Sequence, residues 1–158
     1  MGADTINAQL RVNIMNQDTA VITSTLVPDD DRMSFLPRYF GLKHMMNGES
    51  EIYRTLSRLC AEYKGGYWNC YELSNGGFYM APKINGSLRL QNEGNYADQT
   101  VSADAAGIVV TLYALSYLVE QTCGADEDTA MVFSVLSDSL RQFAAEHTEA
   151  SAIGALID

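Results

Sequence analysis

Ala105–Val119 is the longest apolar stretch of the chain, 15 residues interrupted only by tyrosine, serine and threonine. A membrane-spanning helix needs about 20 such residues, so this segment predicts a core helix rather than an anchor. Ser102 stands where an N-cap belongs, and Asp104 falls in the first turn, where a carboxylate suits the positive end of the helix dipole. Ile108, Leu112, Leu115 and Val119 form one stripe, which Val109, Val110, Tyr113 and Leu118 widen. A helix apolar over so much of its circumference has to be packed on more than one side. Any fold for this chain must therefore gather several elements around one central helix.

The flanking segments supply those elements. Ala20–Val27 is β-branched and ends at Pro28, which reads as an edge strand. Asp29-Asp30-Asp31 then places negative charge ahead of a short helix that tolerates Pro37 in its first turn and stops at Gly41. From Ser50 the pattern is helical, with Ile52, Leu56, Leu59 and Tyr63 on one side, and Gly65-Gly66 ends it. Tyr67–Leu73 and Phe78–Pro82 flank Asn75-Gly76-Gly77, the signature of a β-hairpin. Ser87–Gln91 follows as a third strand of a meander. After the central helix, Gly124 is a stop and Asp126-Glu127-Asp128 opens a helix facing Phe133, Leu136, Leu140 and Phe143/Ala144 inward. A closing helix runs from about Thr148 to Ile157. The 158 residues suit one domain, and hydrophobic and charged fractions of 47% and 19% suit a folded one. The expectation is a single α+β domain over 20–158. Its small antiparallel sheet, a three-stranded meander with an edge strand, packs against several helices. Residues 1–19 read as a poorly ordered leader.

Charge is distributed unevenly. Up to Gln91 nine acids meet nine bases; from Asn92 onward eleven acids meet only Arg141, so the whole net charge of −10 lies there. Such acidity disfavours direct nucleic-acid binding, which depends on cations displacing counterions from phosphates. It serves solubility, and it also offers a negative face to a basic partner. The candidate partner-binding residues are Glu120, Asp126, Glu127, Asp128, Asp138, Glu146, Glu149 and Asp158. Of these, Asp126, Glu127 and Asp128 are also explained as first-turn charges, and Asp138 as an i,i+3 pair with Arg141.

Motifs for catalysis are missing. His44 and His147 stand apart from any metal-ligand spacing, and no phosphate-binding glycine motif or nucleophile elbow is present, so no cofactor or metal is expected. Cys60, Cys70 and Cys123 are odd in number and form no C-x-x-C; with no signal sequence, they predict reduced thiols in a cytoplasmic chain. Cys60 and Cys123 fall among apolar neighbours in helices, while Cys70 alternates with aromatics in a strand and is the one thiol worth testing as a nucleophile. The aromatics of Tyr63–Tyr79 suit a half-buried sheet face better than a base-stacking platform, which would come with a basic groove.

Arg32-Met33-Ser34-Phe35-Leu36-Pro37-Arg38-Tyr39-Phe40-Gly41 resembles the opening block of the ArdB/KlcA antirestriction proteins. Tyr63-Lys64-Gly65-Gly66-Tyr67-Trp68 through Leu73-Ser74-Asn75-Gly76-Gly77-Phe78-Tyr79-Met80-Ala81-Pro82 resembles that family's most distinctive block. Ser102–Val109 and the terminal Ala152-Ile153…Ile157-Asp158 follow in the same order. The resemblance implies a compact α+β protein of plasmids and other mobile genetic elements. Its implied role is to relieve type I restriction of unmodified incoming DNA, inhibiting the endonuclease while largely sparing methylation. It brings no catalytic residues to carry over. The implied partner is the type I restriction-modification complex, engaged directly or indirectly, with no membrane involved and the chain a monomer or weak homodimer. Two other readings stay open: a small thiol hydrolase built on Cys70, and an acidic adaptor for another basic protein.

Overall fold

The computed structural model describes residues 20–158, so the predicted leader at 1–19 lies outside the described residues. In chain order the elements are β1 (Ser24–Leu26), a 3-10 turn at Asp29–Asp31, α1 (Arg32–Leu59), β2 (Trp68–Leu73) and β3 (Phe78–Pro82). β4 (Ser87–Asn92), β5 (Ala97–Ser102), α2 (Ala103–Thr122), α3 (Glu127–Ala145) and α4 (Ala150–Ile157) complete the domain. The architecture is α+β, with two small antiparallel sheets and the helices gathered around α2.

Gly41 interrupts α1 as its sequence suggests, with φ +74° and ψ 160° in the middle of otherwise helical backbone. The chain re-enters a helix at once, however, rather than at Ser50, and ends it at Leu59 rather than at Gly65-Gly66. A tertiary contact explains the early restart: a Cβ at Gly48 would lie 2.8 Å from the Phe40 ring, so that ring rests directly on the Gly48 backbone. The polar-looking stretch after Gly41 gives no periodic sign of this contact. Pro37 sits in the second turn of the first helical segment, not the first.

The hairpin forms where predicted, Trp68 opposite Pro82 and Glu72 opposite Phe78, and β1 adds to β2 as a short edge strand. The third strand of the expected meander is a correction. β4 leaves this sheet and pairs with β5, Ser87 opposite Ser102 and Asn92 opposite Ala97. The free edge of β3 is not available to it, because α2 lies along that edge: the Met80 N–H donates to Thr111 Oγ1 at 3.2 Å. β5 itself escaped sequence reading because Ala, Asp and Gln are poor strand formers. Its hairpin turns through Tyr96 in the left-handed region, at φ +61°.

α2 has the 20 residues that could cross a bilayer by length and composition. Here it is enclosed by protein instead, with Ile108, Val109, Leu115 and Leu118 at zero exposure and α1, α3, α4 and β3 packed against it. Gly107 is the point of closest approach. A Cβ there would stand 2.3 Å from the Met80 carbonyl oxygen and 2.5 Å from the Ala81 Cα, contacts with backbone that cannot swing aside.

Gly107→Ala should therefore lower the unfolding free energy by about 3 kcal/mol, the upper part of the usual range for overpacking a core. Urea denaturation measures it; an unchanged midpoint would mean that α2 can draw back from β3 at little cost.

Candidate functional site

The eight acids picked out by sequence do not form one site. Glu120 lies in the last turn of α2, Asp126 is the N-cap of α3, and Glu127 and Asp128 open that helix, so these four share one end of the helical pair. Two of them hold the turn together. Asp126 caps α3, accepting from the Thr129 N–H at 3.2 Å and the Thr129 hydroxyl at 2.6 Å. These bonds keep its carboxyl below the usual carboxylate range. The cap therefore stays ionised at neutral pH and weakens only as pH falls through that lowered value. Glu127 reaches back to accept from the Gly124 N–H at 2.6 Å. Glu120 and Asp128 are exposed and make no side-chain hydrogen bond among the described residues.

At the other end, Glu149 is engaged. Its carboxylate accepts from the Ser102 N–H at 2.9 Å and from the Ser102 hydroxyl, which itself caps α2 by accepting from the Ala105 N–H. Glu146 is exposed beside a surface hollow lined by Val21, Ser74, Asn75 and Gln142. Asp138 is exposed midway along α3, and its expected partner Arg141 is not within ion-pair distance among the described residues. Asp158 is exposed, and its main-chain oxygen, not its side chain, accepts from the Asn95 amide. Of the unengaged acids, Asp128, Asp138 and Glu146 are spaced along α3 and its C-cap, a 19-residue helix about 28 Å long, while Glu120 lies in the last turn of α2. The same length of duplex carries about 16 phosphate charges. Even with the engaged Asp126 and Glu127 counted, the five carboxylates along α3 and its caps (Asp126, Glu127, Asp128, Asp138 and Glu146) are far sparser than that.

A second set of polar residues went unread in the sequence. His147 Nδ1 accepts from the Glu149 N–H at 3.0 Å, so the ring proton sits on Nε2 and faces Asp104 Oδ2 at 2.8 Å. The Tyr79 hydroxyl donates to Asp104 Oδ1 at 2.6 Å and lies 3.2 Å from the Ser24 hydroxyl. Burial, helped by that bond to Asp104, drives the Tyr79 phenol far above its ordinary value. The His–Asp pairing looks like part of a catalytic triad, but both imidazole nitrogens are occupied, and among the described residues no nucleophile reaches them. The network ties β1, β3, the start of α2 and the α3–α4 turn together. Only tertiary contact could reveal it, since its members are up to 123 positions apart, from Ser24 to His147.

The thiols divide differently. Cys70 is buried in β2, and burial pushes its thiol up, away from the thiolate a nucleophile needs. Cys60 is also buried. Cys123, expected among apolar neighbours, is exposed just beyond α2. The aromatic run is core: Phe78, Tyr79 and Trp68 are buried, and the half-exposed Tyr67 has its face covered by Arg32 at 4.5 Å.

Two substitutions follow. Ser102→Ala should cost about 1–2 kcal/mol in a denaturation curve, because it removes the α2 cap and a hydrogen bond to Glu149 together. Cys70→Ala should leave biological activity intact in soluble protein; its loss in a folded variant would revive a thiol mechanism.

Residues 61–158 match the antirestriction protein family. The antirestriction protein KlcA of Escherichia coli is 45% identical over 144 residues, covering 91% of this chain and all of that one. A second Escherichia coli KlcA is 46% identical over 139 residues, covering 87% of this chain and 94% of its own. A solved structure from work on KlcA and ArdB superposes with a TM-score of 0.81 and 45% identity, over 88% of this chain and 96% of that one. Those two proteins are described as having a novel fold and antirestriction activity against type I DNA restriction systems in vivo but not in vitro. With whole-length identity and a shared fold, the chain belongs to the antirestriction protein family of KlcA and ArdB.

Proposed function

We propose that this chain relieves type I restriction of unmodified incoming DNA in the bacterial cytoplasm, acting as a protein ligand rather than as an enzyme or a DNA-binding protein. The observation that carries the reading is the match to KlcA, at 45% identity over the whole of that protein. Charge supports the route. A chain with net charge −10 is repelled by DNA, whereas the restriction machinery must itself present basic surfaces to grip DNA. The unengaged acids at both ends of α3 are the groups free to meet such a surface. Methylation is spared in this reading because the endonuclease function is the one inhibited.

The KlcA and ArdB proteins work in vivo but not in vitro. That behaviour favours an effect exerted within the cell's restriction machinery, with contact made directly or through another cellular component.

Plating of unmodified phage on a type I restricting strain tests the function, with a restriction-free strain and a type II strain as controls. Expression should raise plating on the type I host alone, and no rise with soluble protein present would sink the reading. A triple charge reversal, Glu120→Lys, Asp128→Lys and Glu146→Lys, should cut the relief tenfold or more while leaving the melting temperature nearly unchanged. Full relief by the folded triple variant would remove the electrostatic route.

A further inference from the structure

The outward face of α3 carries apolar residues that the fold does not use. Met131, Val132 and Val135 are 64%, 54% and 55% exposed within little more than one turn, and Leu42, just past the Gly41 break, is 78% exposed. Leu42 and Val132 line the same hollow, floored by Tyr39, Phe40 and Phe133. The two valines lower helix propensity and leave more than half of their surface exposed in this chain. Single exposed apolar residues are ordinary, but a contiguous patch of this kind marks an interaction surface. The hollow is also preformed, since the Phe40 ring seated on Gly48 fixes the Gly41 break that turns Leu42 outward.

Acids bracket the patch. At 100° per residue, Asp128, Met131, Val132, Val135, Asp138 and Gln142 fall on one face, opposite the buried Phe133, Leu140 and Ala144. Asp128 and Asp138 are ten positions apart, about 15 Å along the axis, and stand at either end of the apolar stretch. Asp126 adds charge at the rim. The cations nearby are Lys43, on the α1 wall across from Asp126, and Arg141, on the flank of α3; Arg38 is paired with Glu72 at 2.6 Å.

We propose that this face, from Leu42 across Val132 and Val135, docks an amphipathic helix of a partner protein whose apolar stripe is flanked by lysine or arginine. The proposal rests on the reading of the chain as a protein ligand of the restriction machinery and specifies the part of the surface that makes contact. A helix laid along α3 would bury its apolar stripe on the three exposed residues and Leu42, and would bring basic residues about three turns apart onto Asp128 and Asp138. The apolar contact supplies affinity, and the two carboxylates set register and sign.

The test uses a leucine–lysine amphipathic peptide of about four turns and its leucine–glutamate counterpart, titrated into the full chain. Met131 methyl NMR reports on the site. The lysine peptide should bind at least tenfold more tightly than the glutamate peptide and should move the Met131 signal. Val132→Ser with Val135→Ser should weaken it tenfold or more, and Asp128→Asn with Asp138→Asn should narrow the difference between the peptides. Equal binding of both peptides, an unmoved Met131 signal, or self-association of the chain through this face would overturn the proposal. In restricting cells the folded valine variant should lose most of the relief, and undiminished relief would overturn it too. If the unsubstituted chain itself gives no relief, the proposed function fails, and the peptide titration still decides on the surface.

Discussion

The contact between α2 and β3 at Gly107 is the constraint from which the rest of the domain follows. With no Cβ in the way, the helix lies directly on the Met80–Ala81 backbone, and Thr111 bonds to the Met80 N–H on the edge of the strand. That edge is thereby closed to further strands. β4 has to turn away and find its own partner in β5, so the domain has two small sheets rather than one larger one. The same approach leaves α2 surrounded, which is why its sequence can be apolar nearly all the way round and still belong to a folded domain.

Polar side chains then fasten the periphery to this centre. Buried Asn92 donates to the Tyr113 hydroxyl at 2.7 Å and the Leu156 carbonyl at 3.1 Å, while Asn95 donates to the Ala155 carbonyl at 3.0 Å. The carbonyls at the end of α4, which have no partners within the helix, are satisfied from the β4–β5 turn. Glu149 and the His147–Asp104–Tyr79 network do the same work at the start of α2. Groups that would suggest chemistry in isolation, a histidine beside an aspartate and a glutamate beside a serine, are fully engaged in holding helices in place.

What remains free is a surface. The structural demand on Asp126, Glu127 and Glu149 leaves Glu120, Asp128, Asp138 and Glu146 as exposed charge, and the packing of α3 leaves Met131, Val132 and Val135 outside the core. Asp128, Asp138 and the three apolar residues all lie on α3, the helix whose inner side is anchored by Phe133, Leu140 and Ala144. The proposed docking uses this apolar, acid-flanked outer face, and the sparse carboxylates make it a poor copy of a phosphate backbone.

Sequence alone determined whatever depends on local pattern. The central helix follows from Ala105–Val119 and its Ser102 cap, the hairpin from two aromatic runs around Asn75-Gly76-Gly77, and the opening of α3 from Asp126. Each is written in consecutive residues, through periodicity, turn chemistry or capping. The ordered motif blocks pointed to the antirestriction family in the same way. Tertiary structure decided what depends on groups far apart in the chain. It assigned β4 to a second sheet because α2 covers the β3 edge, and it restarted α1 at Gly41 because Phe40 needs Gly48. It divided the acids into engaged and free, since a carboxylate in the sequence shows its charge but not its hydrogen-bond partners. The outward side of α3 follows from the periodicity that turns Phe133, Leu136, Leu140 and Phe143/Ala144 inward, but only the packing shows that Met131, Val132 and Val135 stay more than half exposed there.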